Sequence, residues 1–154
     1  MKAKEVLLVC RKCKAKCCKI GGSDFTESEM RTVLKAGHKN FFDKVEKNHY
    51  ELKSKMGRCS YLTKELSCGI HKVRPLMCRC WPVYPEYKKN KKQYVVIQCP
   101  LTPYLSKKNL EIMKKQASKL PRNLSGDIKT NLPKKDLDLI IKRFNKFFKT
   151  KRLR

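Results

Sequence analysis

The sequence predicts a small, irregular α+β fold with a cysteine-rich, metal-centred core, short strands and about four packed helices. Three observations lead there. The chain has 154 residues, room for one modest hydrophobic core. Its nine cysteines (Cys10, Cys13, Cys17, Cys18, Cys59, Cys68, Cys78, Cys80 and Cys99) all precede residue 100. Apolar stripes at helical spacing stand apart from shorter apolar segments interrupted by proline and glycine. The uneven distribution of cysteine divides the chain into a metal-binding domain over residues 1–103 and a basic helical extension over residues 104–154.

From the amino terminus, the five-residue apolar run Val6 to Cys10 is shorter than the apolar region of a signal peptide. No stretch approaches the roughly 18 apolar residues of a membrane span. A cytoplasmic protein with no membrane partner is therefore expected. Its thiols stay reduced, and clustered cysteines point to metal binding or catalysis over disulfides. Residues 10–19 are polar and read as a ligand-bearing loop. Thr26-Glu27-Ser28-Glu29 has the capping-box form and predicts a helix to about Ala36, stopped by Gly37. A second helix is expected over 40–53, with Phe41, Phe42, Val45 and Leu52 inward. His38 and His49 fall in these polar helical surroundings and carry no signal.

From Gly57 to Pro85, short apolar pieces alternate with cysteines. Pro75, Pro82 and Pro85 exclude a long helix, so a hairpin or irregular strands and a turn at Leu76–Cys78 are expected. Lys88–Lys92 reads as an exposed basic loop, and Gln93–Gln98 as a strand delivering Cys99. A helix over 106–119, a linker over 121–133 and a last helix with Pro133 in its first turn complete the chain.

Thiolate sulfur binds both zinc and iron, and four sulfurs close a tetrahedral shell. The group Cys10-x2-Cys13-x3-Cys17-Cys18 sets two sulfurs on one turn. Cys59, Cys68, Cys78 and Cys99 are far apart in sequence and require tertiary folding to meet, which couples metal binding to folding. Adjacent residues of an extended segment point to opposite faces. The Cys17-Cys18 pair therefore suggests more than one metal ion, or an iron–sulfur cluster. Arg11, Lys12, Lys14, Lys16, Lys19, Arg74 and Arg79 supply cations that favour thiolates. Zinc against iron stays open. One Cys-x2-Cys pair falls short of the paired spacings of common zinc modules, and Cys99-Pro100 echoes only the last step of a ferredoxin motif.

The ordered set Cys10-x2-Cys13-x3-Cys17-Cys18, Asp24 to Glu29, Gly57-Arg58-Cys59-Ser60-Tyr61-Leu62 and Cys68-Gly69-Ile70-His71-Lys72-Val73-Arg74-Pro75-Leu76-Met77-Cys78-Arg79 resembles the YkgJ-type cysteine-cluster family over residues 8–101. The resemblance implies zinc or iron chelation by eight cysteines: Cys10, Cys13, Cys17, Cys18, Cys59, Cys68, Cys78 and Cys99. The spacer before Cys17 is one residue longer than the familiar form. Cys80 stands where relatives carry an apolar residue and reads as a small buried hydrophobe. His71 reads as a non-ligand, and Arg74 as a donor to a sulfur or carbonyl beside the site.

The function expected is metal binding without a defined catalytic step. One alternative, implied by the same resemblance, is an enzyme related to protein lysine N-methylases, although the sequence has no Gly-x-Gly-x-x-Gly nucleotide loop. Another is nucleic-acid binding through the lysine-rich surface of a chain with net charge +26. Trp81, Tyr84, Tyr87 and Tyr94 are candidates to stack bases. Arginine, the better sign of specific phosphate recognition, occurs nine times, so a merely solvated lysine surface is the plain alternative.

Overall fold

The run Val6 to Cys10 belongs to a helix. In the computed structural model, which describes residues 3–54, 56–126 and 129–153, α1 spans Ala3–Lys12. Glu5 in its first turn and Arg11 and Lys12 in its last complement the helix dipole. The ligand loop expected over 10–19 thus begins inside a helix. Val6, Leu7 and Cys10 repeat at helical spacing on one face, and polarity at Arg11 and Lys12 marks only the opposite side. Lys14 and Ala15 then take left-handed φ values of 58° and 49°, turning the chain into a 3-10 turn over Lys16–Lys19.

Helix α2, Glu27–Lys35, has the expected capping box: Thr26 Oγ1 accepts from the Glu29 N–H, and Glu29 Oε2 accepts from the Thr26 N–H. The helix expected over 40–53 is instead a hairpin of β1, Phe42–Glu46, and β2, His49–Leu52. Asn48, in a left-handed conformation, makes the turn. Pairing of Phe42 with Leu52 and of Lys44 with Tyr50 puts alternate residues on the core face, where Phe42 and Leu52 join Phe25, Val33, Tyr61 and Ile70.

Residues 57–75 form turns and a 3-10 turn over His71–Val73, with isolated bridges from Arg58 to Gly21 and from Leu62 to Cys68. Pro75 opens α3, Leu76–Cys80, a short helix where only a turn was expected. Strands β3, Val83–Lys88, and β4, Lys91–Gln98, are joined by Lys89 and Asn90, both at positive φ. The lysine run is therefore a tight hairpin with Lys88 paired to Lys91, not a loose loop.

Ser106 caps α4, Lys107–Ala117, and Pro133 stands at the N-cap of α5, Lys134–Phe147. The linker contains a 3-10 turn over Arg122–Leu124; its residues 127 and 128 lie outside the described ones. Strand β5, Lys149–Arg152, was not expected. It completes an antiparallel sheet of order β3-β4-β5. Met77, Cys80, Val83, Val96, Ala117, Leu120 and Leu124 form a second core. Among the described residues, no helix is long and apolar enough to cross a membrane.

Candidate metal centre

Cys17 and Cys18 ride on the 3-10 turn after α1, with sulfurs 4.0 Å apart. That is close to the ~3.8 Å edge of a tetrahedral thiolate shell built with 2.3 Å metal–sulfur bonds. The backbone brings the second group alongside. The Cys59 N–H donates to Cys18 O at 2.8 Å, and the Gly21 N–H donates to Gly57 O. Gly57 is required there: its φ is +66°, and a Cβ would lie 3.1 Å from Ile140 and 3.2 Å from Arg143. The Leu62–Cys68 bridge and the Gly69 N–H donating to Tyr61 O fold Cys68 back toward Cys59. Helix α3 carries Cys78 to the same place.

Six sulfur-bearing side chains, Cys10, Cys17, Cys18, Cys59, Cys68 and Cys78, thereby line one cavity of about 180 Å³. Val6, Leu7, Trp81, Leu101 and Met113 give it largely apolar walls, and His71, Arg74 and Arg79 add cationic or polar edges. Cys13 and Cys99 do not line it, but both lie near enough to Cys10 for their charges to raise its thiol. Cys13 donates to Cys10 O, and Cys99 sits beside the Thr102 hydroxyl at 3.6 Å. Among the described residues, no three Cys, His, Asp or Glu side chains are gathered as a ready site for a metal ion. The sulfurs surround a space instead of meeting at a point.

At Cys10, Cys59, Cys68 and Cys78 the electrostatics are those of thiols held protonated by burial. Burial, then neighbouring sulfurs, pushes Cys10 up to about 12, and burial pushes Cys59 up to about 11. Burial also raises Cys68 and Cys78; the Ser23 hydroxyl and the Arg74 charge oppose this at Cys78 and Cys68 respectively. Cys78 is exposed as a residue because it faces the cavity, yet its thiol is crowded by protein. The Cys17–Cys18 contact lets one thiol stabilise the other's thiolate. Cys17 falls and Cys18 rises, so the pair gives up one proton readily and holds the second.

Arg74 is fixed beside the site by donating from Nη1 to His71 O at 2.8 Å and pairing with His71 Nε2 at 2.9 Å. Its bond is thus to a carbonyl and an imidazole, one of the partners expected. Burial and the Arg74 charge lower His71, which keeps its ring neutral. Cys80 is fully buried and donates to Met77 O, as expected of a core residue.

Sequence reasoning missed His49. It is wholly buried on β2, with Nε2 2.9 Å from Asp24 Oδ1, and fastens the hairpin to the segment after Ser23. Misreading 40–53 as helix hid it, because it is the hairpin, through the Phe25–Tyr50 bridge, that lays His49 against Asp24. Glu29 was also undervalued. Besides its capping bond, it accepts the Leu76 N–H at 2.7 Å and so holds the start of α3.

Thiols around one apolar-walled cavity in a small α+β fold define a cysteine-cluster protein. The chain belongs to the CxxCxxCC family, described as "Putative zinc- or iron-chelating domain", whose model matches residues 9–100. Comparison with curated proteins and with solved structures finds no match.

Proposed function

We propose that the chain holds a core of more than one metal atom, an iron–sulfur cluster being the form that suits its donors best. The observation that carries this reading is the cavity of about 180 Å³ faced by six cysteines. A single zinc ion closes on four sulfurs and leaves no void between them. Six sulfurs around a larger space suit a polynuclear core, with Cys10, Cys17, Cys18, Cys59, Cys68 and Cys78 as ligands and Cys13 and Cys99 as neighbours able to join them. Donor chemistry supports the same choice, since thiolates are the ligands of iron–sulfur clusters.

Such a core, when bound, supplies a cross-link between distant segments and a one-electron couple. The chain's own residues do the rest. Largely apolar walls lower the polarity around the sulfurs. Arg74 and Arg79 offset thiolate charge. The hydrogen bond from Cys59 to Cys18 O keeps the two cysteine groups together.

Elemental analysis and an optical spectrum on anaerobically purified protein test the reading. Iron with acid-labile sulfide and visible absorption that bleaches on reduction are expected. One zinc per chain in a colourless protein would overturn the polynuclear reading.

A further inference from the structure

Away from the sulfurs, the tip of the β3–β4 hairpin concentrates cations on two tyrosine rings. Lys92 Nζ lies 5.9 Å from the ring centroids of both Tyr87 and Tyr94. Lys114 of α4 lies 5.8 Å from Tyr94, and the Arg122 guanidinium 5.3 Å from Tyr87. Three elements remote in sequence therefore deliver positive charge to one place. The charges are held there: Lys92 Nζ donates to Ser118 O at 3.0 Å, and Arg122 Nη2 approaches Asn90 Oδ1 at 3.5 Å. Lys89 at the turn extends the patch, whereas Lys91, paired with Lys88, falls on the other face. The carboxylate next along β3, Glu86, falls on the opposite face with its partner Gln93.

Cations already ordered on aromatic rings lose less freedom on binding an anion than free lysines do. Gly126 lies so close to Tyr87 that a Cβ there would be 3.1 Å from the ring. The rings are therefore platforms for cations and are not open to stack bases. What the patch presents is a dense cluster of positive charge with no base-reading surface. Double-stranded nucleic acid has the matching density, one negative charge per ~1.7 Å of axis. A membrane surface suits it less, because interfacial binding needs apolar anchors and the exposed large apolar side chains Leu8, Met56, Tyr104, Ile112 and Ile141 lie outside the hairpin.

We propose that the patch formed by Lys89, Lys92, Lys114 and Arg122 binds the phosphate backbone of double-stranded nucleic acid without reading its sequence. The proposal stands apart from the identity of the metal. The test measures affinity of the metal-loaded full chain for a duplex of about two helical turns, as DNA and as RNA, across a salt series. Three proteins are compared: the parent, Lys92→Gln/Lys114→Gln/Arg122→Gln, and a control that loses equal charge elsewhere, Lys35→Gln/Lys64→Gln/Lys72→Gln.

The patch variant should bind about tenfold or more weakly at physiological salt, with a salt slope shallower by about 2 to 3. The control should stay within about twofold of the parent, and scrambling the duplex sequence should change nothing. Equal losses in both variants would overturn the proposal, as would parent binding confined to anionic phosphatidylserine vesicles. If the triple variant does not fold, Lys89→Glu, at an exposed position of the turn, reads the same outcome: weakened duplex binding supports the patch and unchanged binding overturns it.

Discussion

Cys80 donates its thiol to Met77 O inside a packed core, while Cys59 faces the sulfur-lined cavity from a turn bound to Cys18. The same side chain thus meets two environments, and substitution separates them. Cys80→Ala should cost about 1–2 kcal/mol in a denaturation experiment, the usual cost of a small core deletion, and leave metal content unchanged. Cys59→Ala should lower the metal content, read by elemental analysis. A pH dependence follows from the raised Cys59 thiol. Above its ordinary value of 9.0 the unfolded chain loses this proton, whereas the native state keeps it to about 11. The native state then binds more protons, so stability falls as pH rises through that window. The urea midpoint of metal-free protein should drop between about pH 9 and pH 11, and Cys59→Ala should lessen that drop.

At the scale of elements, Glu29 is the joint between two helices. One oxygen closes the α2 capping box and the other receives the first N–H of α3, the helix that carries Cys78. Glu29→Ala leaves both N–H groups without a partner and should cost about 2–3 kcal/mol. It should also hasten metal loss to a chelator. Thr26→Ala removes the cap alone, at about 1 kcal/mol, and should leave metal loss unchanged. The capping box was legible because it is a local signal: hydroxyl and carboxylate at fixed spacing before an apolar stripe. The strand leading to Cys99 and the α4 and α5 stripes were legible for the same reason. The β1–β2 hairpin was not, because Phe41, Val45 and Leu52 satisfy helical spacing while Phe42, Tyr50 and Leu52 satisfy alternation. Only packing against Phe25 and Tyr61 decides between them. Strand β5 was illegible since Lys149-Thr150-Lys151-Arg152 has no apolar pattern and exists through its pairing with β4. Of the site, the sequence names eight candidate cysteines, but not that Cys13 and Cys99 stand outside the cavity the other six line.

Across the whole molecule, the tail braces the sulfur-bearing part. Arg143 of α5 donates to Lys19 O at 3.0 Å and to Met56 O at 2.6 Å, spanning the loops that carry Cys18 and Cys59. Glu51 accepts from the Thr130 hydroxyl and the Asn131 N–H, and Phe148 packs edge-on against Trp81. Arg143→Ala should raise the rate of metal release to a chelator several-fold. Arg143→Lys should rescue it poorly, because Nη1 makes both contacts and a lysine ammonium ends one bond short of its position. Because the ligands come from distant segments, stripping the metal should lower the unfolding temperature of the full chain, measured by calorimetry.

Every candidate ligand precedes residue 100, whereas Met113, Arg143 and Phe148, which wall or brace the cavity, follow it. During synthesis, which runs from the amino terminus, the thiols leave the ribosome before the segments that enclose them. The nascent chain therefore passes through a stage in which its sulfurs are uncovered, and emergence of Met113, Arg143 and Phe148 ends it.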